Sequence, residues 1–382
     1  MKKLGYLGPP GTFSHTAAMQ YAAGKNLLPV CCFSLETVFH QIQTGQMDAG
    51  IAPAENSTGG TVAETLDLLS AVDSVFITGE LILPVRQHLL ARPDVKLQDI
   101  KRVYSHPQAL LQCKRGLQDK LPGVPLTETA STAAAAFLVS VSDRPPAAAV
   151  GSISAAENYG LEVLCPDIQD SGNSNVTRFL VLEPKKATPD RGPVRTSMAL
   201  AVKDRPGALY YILREFALHK ISLTRIESRP GGNKLGDYIF FIDFLGREDD
   251  PSVRMAISAI GEFVLWQKLF GSYPVYRDAS EPAADEFIPG DQTVSLADIR
   301  EKIDLVDNEL LHLLIMRQRL VEEVARLKAG QKQVVDHRRE EEIISRIKES
   351  AAANNLDPAI TEQIYRLIIH SSVLRQKQLL SL

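Results

Sequence analysis

Two stretches of this sequence combine proline and charge too densely to sit inside a packed core, and they divide everything around them. Residues 184–195 read PKKATPDRGPVR and residues 278–292 read DASEPAADEFIPGDQ, compositions that belong to linkers. The chain is 382 residues long, more than one hydrophobic core usually serves, and the breaks leave stretches of ordinary domain size. Before the first break, apolar strands such as Leu4 to Leu7 and Ala147 to Val150 alternate with helix-like runs such as Thr132 to Val141, which predicts an α/β region. Between the breaks, strand Met198 to Val202, a helix over Ala208 to Leu218, strands Ser222 to Glu227 and Tyr238 to Phe244, and a helix from Ser252 spell β-α-β-β-α-β, an α+β unit. Beyond the second break the sequence reads as helix. No tandem repeat relates the three, so the expectation is a multidomain chain with different folds at 1–184, 195–278 and 293–382, and a linker at 279–292.

Composition excludes several classes. A charged share of 23% and a net charge of −4 supply no basic field for nucleic acid. Cys31, Cys32, Cys113 and Cys165 form neither a CxxC pair nor a regular disulfide spacing, which fits a reducing cytoplasm. The opening MKKLGYLGPPGTFS meets Gly and Pro where a signal peptide needs an apolar run, and no stretch is long enough to span a bilayer. No Cys/His ligand cluster that would hold a metal stands out, and the reactions implied by the resemblances below need neither a metal nor another cofactor.

The C-terminal segment carries the sharpest physical signal. Ser295 with Asp298 makes an N-cap pair, and Ile299, Ile303, Val306, Leu310, Leu313, Leu320, Val324 and Leu327 form an apolar seam with steps of three and four. Arg317 interrupts it. An arginine there needs a carboxylate partner or an anionic ligand, because burying it unpaired is costly. Lys328, eleven residues on, falls about 20° past three turns and about 16 Å along the same face, so the two cations can clamp a small dianion. Arg300 lies seventeen residues before Arg317, about 25 Å away and about 100° around, and cannot share that ligand on one helix. If it binds substrate it serves another subunit's site, which predicts an intertwined homodimer or higher oligomer. Asp336, Arg339 and Glu340 share a helix face at i, i+3 and i+4. Ser372 and Gln376, four apart, read singly as surface residues.

The strings IREKIDLVDNELLHLLIMRQRLVEEVARLKA, VVDHRREEE and LIIHSSVLRQKQLL together resemble the all-helical class of chorismate mutase. The resemblance implies that Arg300 from a partner, Arg317 and Arg339 bind the carboxylates of chorismate. Lys328 and Gln376 would donate to the breaking ether oxygen, Glu340 and Asp336 would hold the ring hydroxyl, and Ser372 would line the site. The rearrangement to prephenate is pericyclic, so electrostatic positioning is nearly the whole task.

In the first segment, GPPGTFSH from Gly8, PAENSTGG from Pro53, SHPQALLQC from Ser105, STAAAA from Ser131 and NVTRF from Asn175 gather amide and hydroxyl residues beside apolar runs. GPPGTFSH can face an anion with backbone N–H groups, but it lacks the ending of a Walker loop. No nucleophile elbow accompanies His15, His88 or His106. This set resembles prephenate dehydratase, and the resemblance implies two α/β lobes around a cleft, like a periplasmic binding protein. It also implies Asn56, Ser105, Gln112 and Thr177 as catalytic residues, with Glu55 and Arg178 beside the substrate. Thr177 would either donate a proton to the leaving hydroxyl or orient it. Arg178 would pair with a substrate carboxylate or with a structural one such as Glu55.

In the middle segment, GALYYILREF from Gly207 and ESRP from Glu227 resemble ACT regulatory domains. The resemblance implies phenylalanine bound by Gly207, Ala208, Leu209, Glu227, Ser228, Arg229 and Pro230, with Tyr210 a departure from the commoner valine. Asp204 and Arg205 open the turn before this helix. The whole predicts a bifunctional enzyme acting on chorismate and prephenate under phenylalanine inhibition. The rivals are a non-catalytic sensor of an aromatic metabolite, and a single-activity prephenate or arogenate dehydratase whose helical segment only dimerises.

Overall fold

The structure, a computed structural model, describes all residues except 143–144, 171–174, 190–191, 203–205, 232–237, 277–295, 328–335 and 381–382, and the side chain of Asp298. The linker at 279–292, the Ser295 cap, Asp204, Arg205 and Lys328 therefore lie outside the described residues. The chain falls into two units, Met1–Gln292 and Thr293–Leu382.

The first unit begins β1 (Lys2–Leu7), α1 (Phe13–Ala22), β2 (Leu27–Cys32), α2 (Leu35–Gln43), β3 (Ala49–Asn56), β4 (Gly60–Thr61), α3 (Ala63–Ala71) and β5 (Phe76–Pro84). It then crosses to a second lobe: β6 (His88–Ala91), β7 (Arg102–Ser105), α4 (Pro107–Gln112), α5 (Lys114–Lys120), β8 (Leu126–Glu128), α6 (Thr132–Val141), β9 (Ala147–Gly151), α7 (Ile153–Tyr159) and β10 (Glu162–Cys165). Strand β11 (Val176–Glu183) returns to the first lobe. The first sheet runs β2-β1-β3-β11-β5 and the second β10-β6-β9-β7-β8. In the first sheet β11 inserts antiparallel between β3 and β5, so the last strand of the region completes the sheet that the first strands began. Helices start where the sequence offers a cap: Thr12, Ser131 and Ser152 each accept a backbone N–H from the first turn of α1, α6 and α7.

The chain continues β12 (Val194–Val202), α8 (Ala208–Leu218), β13 (Leu223–Pro230), β14 (Tyr238–Leu245), α9 (Pro251–Gly261) and β15 (Val264–Pro274), the expected β-α-β-β-α-β with strand order β13-β14-β12-β15. One face of this sheet packs Met198, Leu200, Ile242 and Phe244 against Ile212 and Phe216 of α8. The other face joins the first lobe, where Ala199, Phe241, Phe270 and Tyr273 share a core with Leu66, Leu69, Ile77, Leu180 and Leu182. The first charged break is thus only partly a linker. Val194 is buried in β12, and Lys186 pairs with Glu248 at 2.7 Å.

The second unit holds α10 (Leu296–Leu327), α11 (His337–Ala353) and α12 (Pro358–Leu379). Helix α10 has 32 residues, a rod of about 48 Å. Its seam is not buried within the chain: Leu310, Leu313 and Leu320 are 53%, 50% and 60% exposed.

Candidate active sites

Between the lobes of the first unit lies a cavity of about 570 Å³. Asn56 from the end of β3 and Thr177 from the start of β11 form part of its wall, with Gln112, Gln108 and His106 of the second lobe opposite. Asn56 and Thr177 are cross-strand partners, and the Asn56 amide settles their hydrogen bonding. Its Oδ1 accepts from the backbone N–H of Thr58 at 3.1 Å and of Gly59 at 2.7 Å. Its Nδ2 therefore faces the other way, sharing its two protons among Asn175 Oδ1 at 2.8 Å, Thr177 Oγ1 at 2.8 Å and, at 3.1 Å, Val176 O. A hydroxyl has one proton to give. With a lone pair of Thr177 engaged by Asn56, that proton is free to point into the cavity. Asn175 in turn donates to Gln112 Oε1 at 3.3 Å, so the wall is one network across both lobes.

Among the described residues the cavity is lined by no Lys, Arg, Asp or Glu. Thr12, Phe13 and Ser14 from the first turn of α1, and Ser131 and Thr132 from that of α6, also line it. Helix geometry leaves first-turn N–H groups without intrahelical acceptors, and their dipoles favour negative charge. The cavity can hold carboxylates without a cationic side chain.

The helical unit has a smaller cavity of about 300 Å³, lined by Leu314, Arg317, Gln318, Leu367, Ile368, Ser371, Ser372 and Arg375. Arg317 donates to the Ser372 hydroxyl and, at 3.5 Å, to the Ile368 carbonyl. No carboxylate among the described residues pairs with it, whereas neighbouring Arg375 is held by Glu322 at 2.8 Å. Burial pushes the Arg317 guanidinium below the usual arginine range, as expected for a cation lacking its anion.

Three family comparisons match the chain in order: prephenate dehydratase over residues 4–187, the ACT domain over 199–262 and chorismate mutase type II over 299–377. A bifunctional chorismate mutase/prephenate dehydratase of Aquifex aeolicus is 41% identical over 272 residues, covering 71% of this chain and 73% of that protein. The chain belongs to the prephenate dehydratase family. An arogenate dehydratase/prephenate dehydratase of Arabidopsis thaliana is 38% identical, covering 72% of each. Prephenate dehydratase from Arthrobacter aurescens, solved in complex with L-Phe, superposes with a TM-score of 0.68 at 34% identity, covering 80% of this chain and 99% of that one. The chain thus joins a dehydratase, an ACT and a mutase domain.

In this dehydratase, Asn56, Gln112 and Thr177 line the cavity together, and three other residues named from the sequence do not. Ser105 is fully buried and donates to Val150 O at 2.7 Å, tying β7 to β9 just before His106 enters the wall. Arg178 and Glu55 lie on the opposite face of the sheet, because neighbours along a strand alternate faces. They do not pair with one another: Arg178 binds Glu80 at 2.7 Å and Asp243 at 2.6 Å, and Glu55 lies 3.5 Å from Arg225. Burial works against the Arg178 charge, yet Tyr273, Asp243 and Glu80 hold its proton above the ordinary arginine range. Asn175, buried behind the wall and joining Asn56 to Gln112, was not among the expected site residues. It stood inside the NVTRF string with only its amide as a signal.

In the ACT domain, Gly207 caps α8 with φ 82, a left-handed conformation that glycine adopts freely, and Ala208 and Leu209 open that helix. The ESRP string alternates along β13: Ser228 pairs with Phe240 on the helix-covered face, while Arg229 turns to the dehydratase and binds Asp67 through two 2.9 Å hydrogen bonds. Arg229 is therefore already satisfied as a docking residue. In the mutase, Ser372 and Gln376 are half-buried and buried, not surface residues; the Gln376 amide donates to Val321 O at 3.5 Å. Asp336 caps α11 through Arg339 N. Arg300 and Arg339 are exposed, and neither they nor Glu340 line the Arg317 cavity.

Proposed function

We propose that the chain converts chorismate to prephenate in its helical unit and prephenate to phenylpyruvate, CO2 and water in its N-terminal cleft, with phenylalanine inhibiting the second step. The observation that carries the cleft reading is the Asn56–Thr177 hydrogen bond. Loss of CO2 sends an electron pair into the ring and expels the hydroxyl on the opposite carbon. Thr177, its oxygen engaged from Asn56, gives a hydrogen bond to that leaving oxygen while a proton arrives through water, because a threonine hydroxyl is itself a poor acid. The first turns of α1 and α6 hold the carboxylates, while Arg178, expected to pair with a substrate carboxylate or a structural one, is engaged by Glu80 and Asp243. A cavity with no acidic side chain among its described lining favours prephenate over arogenate, whose ammonium group calls for a carboxylate.

In the mutase, Arg317 with Ser372 takes one carboxylate of chorismate. Arg339, Lys328, Asp336, Glu340, Gln376 and a partner's Arg300 complete the site by family likeness, across a homodimer or larger assembly built on the exposed α10 seam. The domains are drawn at 1–184, 195–278 and 293–382, in a cytoplasmic enzyme. For the effector, the support is the ACT match and the L-Phe complex of the Arthrobacter relative. Chorismate given to the purified protein should yield prephenate and then phenylpyruvate, the second step slowing with phenylalanine. Prephenate accumulating without phenylpyruvate would leave a mutase alone, and arogenate consumed faster than prephenate would reverse the substrate assignment.

A further inference from the structure

Strands β3 and β11 each carry two consecutive residues of opposite aspect. Asn56 and Thr177 face the cavity, and Glu55 and Arg178, the next cross-strand pair, face the ACT sheet. Immediately beyond them the pairing breaks. Arg178 sits opposite Glu55 but Phe179 opposite Pro53, so Ala54 is skipped. A bulge disrupts the backbone ladder locally, so side-chain contacts on Glu55 and Arg178 bear on the spacing of the Asn56–Thr177 pair beside it.

Side chains from the ACT sheet grip both strands at this point. Asp243 on β14 accepts from Arg178 Nη1 at 2.6 Å and from Ser197 Oγ at 2.6 Å, and Tyr273 on β15 accepts from Arg178 Nη2 at 2.8 Å. Arg225 on β13 lies 3.5 Å from Glu55 and donates to Thr61 Oγ1 at 3.0 Å, reaching β3 and its hairpin partner β4. Behind them Glu80 on β5 joins Arg178 to Arg195. The side chains of this ion-pair network are all at most 16% exposed, Glu55 at 42% excepted.

We propose that Asp243 and Arg225 are positioning residues for the dehydratase reaction: the ACT sheet is the back wall of the site and fixes the spacing of Asn56 and Thr177 through Arg178 and Glu55. A threonine oxygen 2.8 Å from its donor loses that bond with a relative strand shift of under about 1 Å. The same sheet carries the ESRP string, so a change in β14 reaches Thr177 through Arg178, and one in β13 through Glu55 and Asn56. The proposal rests on Asn56 and Thr177 serving the dehydratase.

The test uses the full-length enzyme with Asp243→Asn, nearly isosteric, and with Arg225→Met and Arg225→Lys. Per folded molecule, Asp243→Asn and Arg225→Met should each lower the dehydratase kcat about tenfold with KM within twofold, and leave mutase turnover unchanged. Arg225→Lys should recover most of the rate lost in Arg225→Met. A merely structural role would instead reduce the folded fraction at constant kcat. Should Asp243→Asn fail to fold, the two Arg225 variants decide. A dehydratase kcat within twofold of the parent in folded Arg225→Met overturns the proposal. Thr177→Ala tests the underlying site separately: if it keeps dehydratase activity, the site assignment fails whatever the Asp243 and Arg225 variants do.

Discussion

Replacing Asn56 by aspartate exchanges an amide nitrogen for an oxygen and reverses the direction of the hydrogen bond that prepares Thr177. In the parent, Nδ2 faces three oxygens, those of Asn175, Val176 and Thr177; the Val176 carbonyl cannot become a donor, Asn175 does so only by a flip that gives up its bond to Gln112 Oε1, and Thr177 does so by turning its hydroxyl. A carboxylate at this position draws the Thr177 proton toward itself in a charged hydrogen bond of about 1.5–3 kcal/mol and away from the leaving oxygen. Losing one donor aimed at developing charge typically costs about 10²- to 10³-fold in kcat. The expected result is a fall of about 100-fold, about 2.7 kcal/mol of barrier. The fold should persist, since the other oxygen still accepts from Thr58 and Gly59. The assay is phenylpyruvate formation at saturating prephenate, with mutase turnover as internal control. Because Asn56 acts through Thr177, Asn56→Asp combined with Thr177→Ala should be no slower than Thr177→Ala alone. Asn56→Asp within threefold of the parent, or losses that multiply in the double variant, would refute the reasoning.

Other outcomes are equally direct. Thr177→Ala should cut phenylpyruvate formation to a residual rate at or below that of Asn56→Asp and spare the mutase, with Thr177→Ser retaining part of the rate. Arg317→Met should abolish measurable mutase turnover while leaving the helical unit as stable to urea as before or more so, because a half-buried guanidinium without a carboxylate costs stability; a destabilised unit would indicate a structural ion pair instead. Glu80→Ala leaves two largely buried arginines short of a carboxylate, and should cost about 3–5 kcal/mol in urea unfolding of the first unit. Burial pushes His15 below the usual histidine range, and its Nδ1 accepts the Gly11 N–H at 3.1 Å, so the folded state favours neutral imidazole. Its stabilising contribution is complete above the unfolded pKa of about 6.5 and shrinks as pH falls below it. Unfolding midpoints should therefore drop between about pH 7 and pH 5, and His15→Gln should flatten that slope.

Much of the dehydratase and ACT fold was legible because it is written locally. The helical run Thr132 to Val141 and the apolar runs Met198 to Val202 and Tyr238 to Phe244 give α6, β12 and β14. What was not legible is which face of a strand meets the cavity. Thr177 and Arg178 are neighbours, so period-two alternation must separate them, but nothing in NVTRF says that threonine looks inward and arginine toward another domain. The bulge at Ala54 has no sequence mark either. Nothing in the sequence marks Arg195, Ser197 or Asp243 as partners of another domain. Arg195 finds Glu80 115 residues away in sequence, and Asp243 finds Arg178 65 residues away, beyond the reach of any local pattern.

The mutase segment shows the opposite case, in which the pattern is plain and the single chain does not satisfy it. The seam of α10 calls for a facing helix along its length, yet Leu310 and Leu320 stay more than half exposed, and contiguous apolar surface of this kind marks association. Arg317 and Ser372 meet, while Arg300, some 25 Å along the same rod, is exposed and outside their cavity. Burying the seam against a second copy and bringing in a partner's Arg300 are one event in the proposed assembly. Mutase turnover should then fall on dilution in step with dissociation, whereas the dehydratase cleft, whose Asn56, Gln112 and Thr177 all come from one chain, need not follow it.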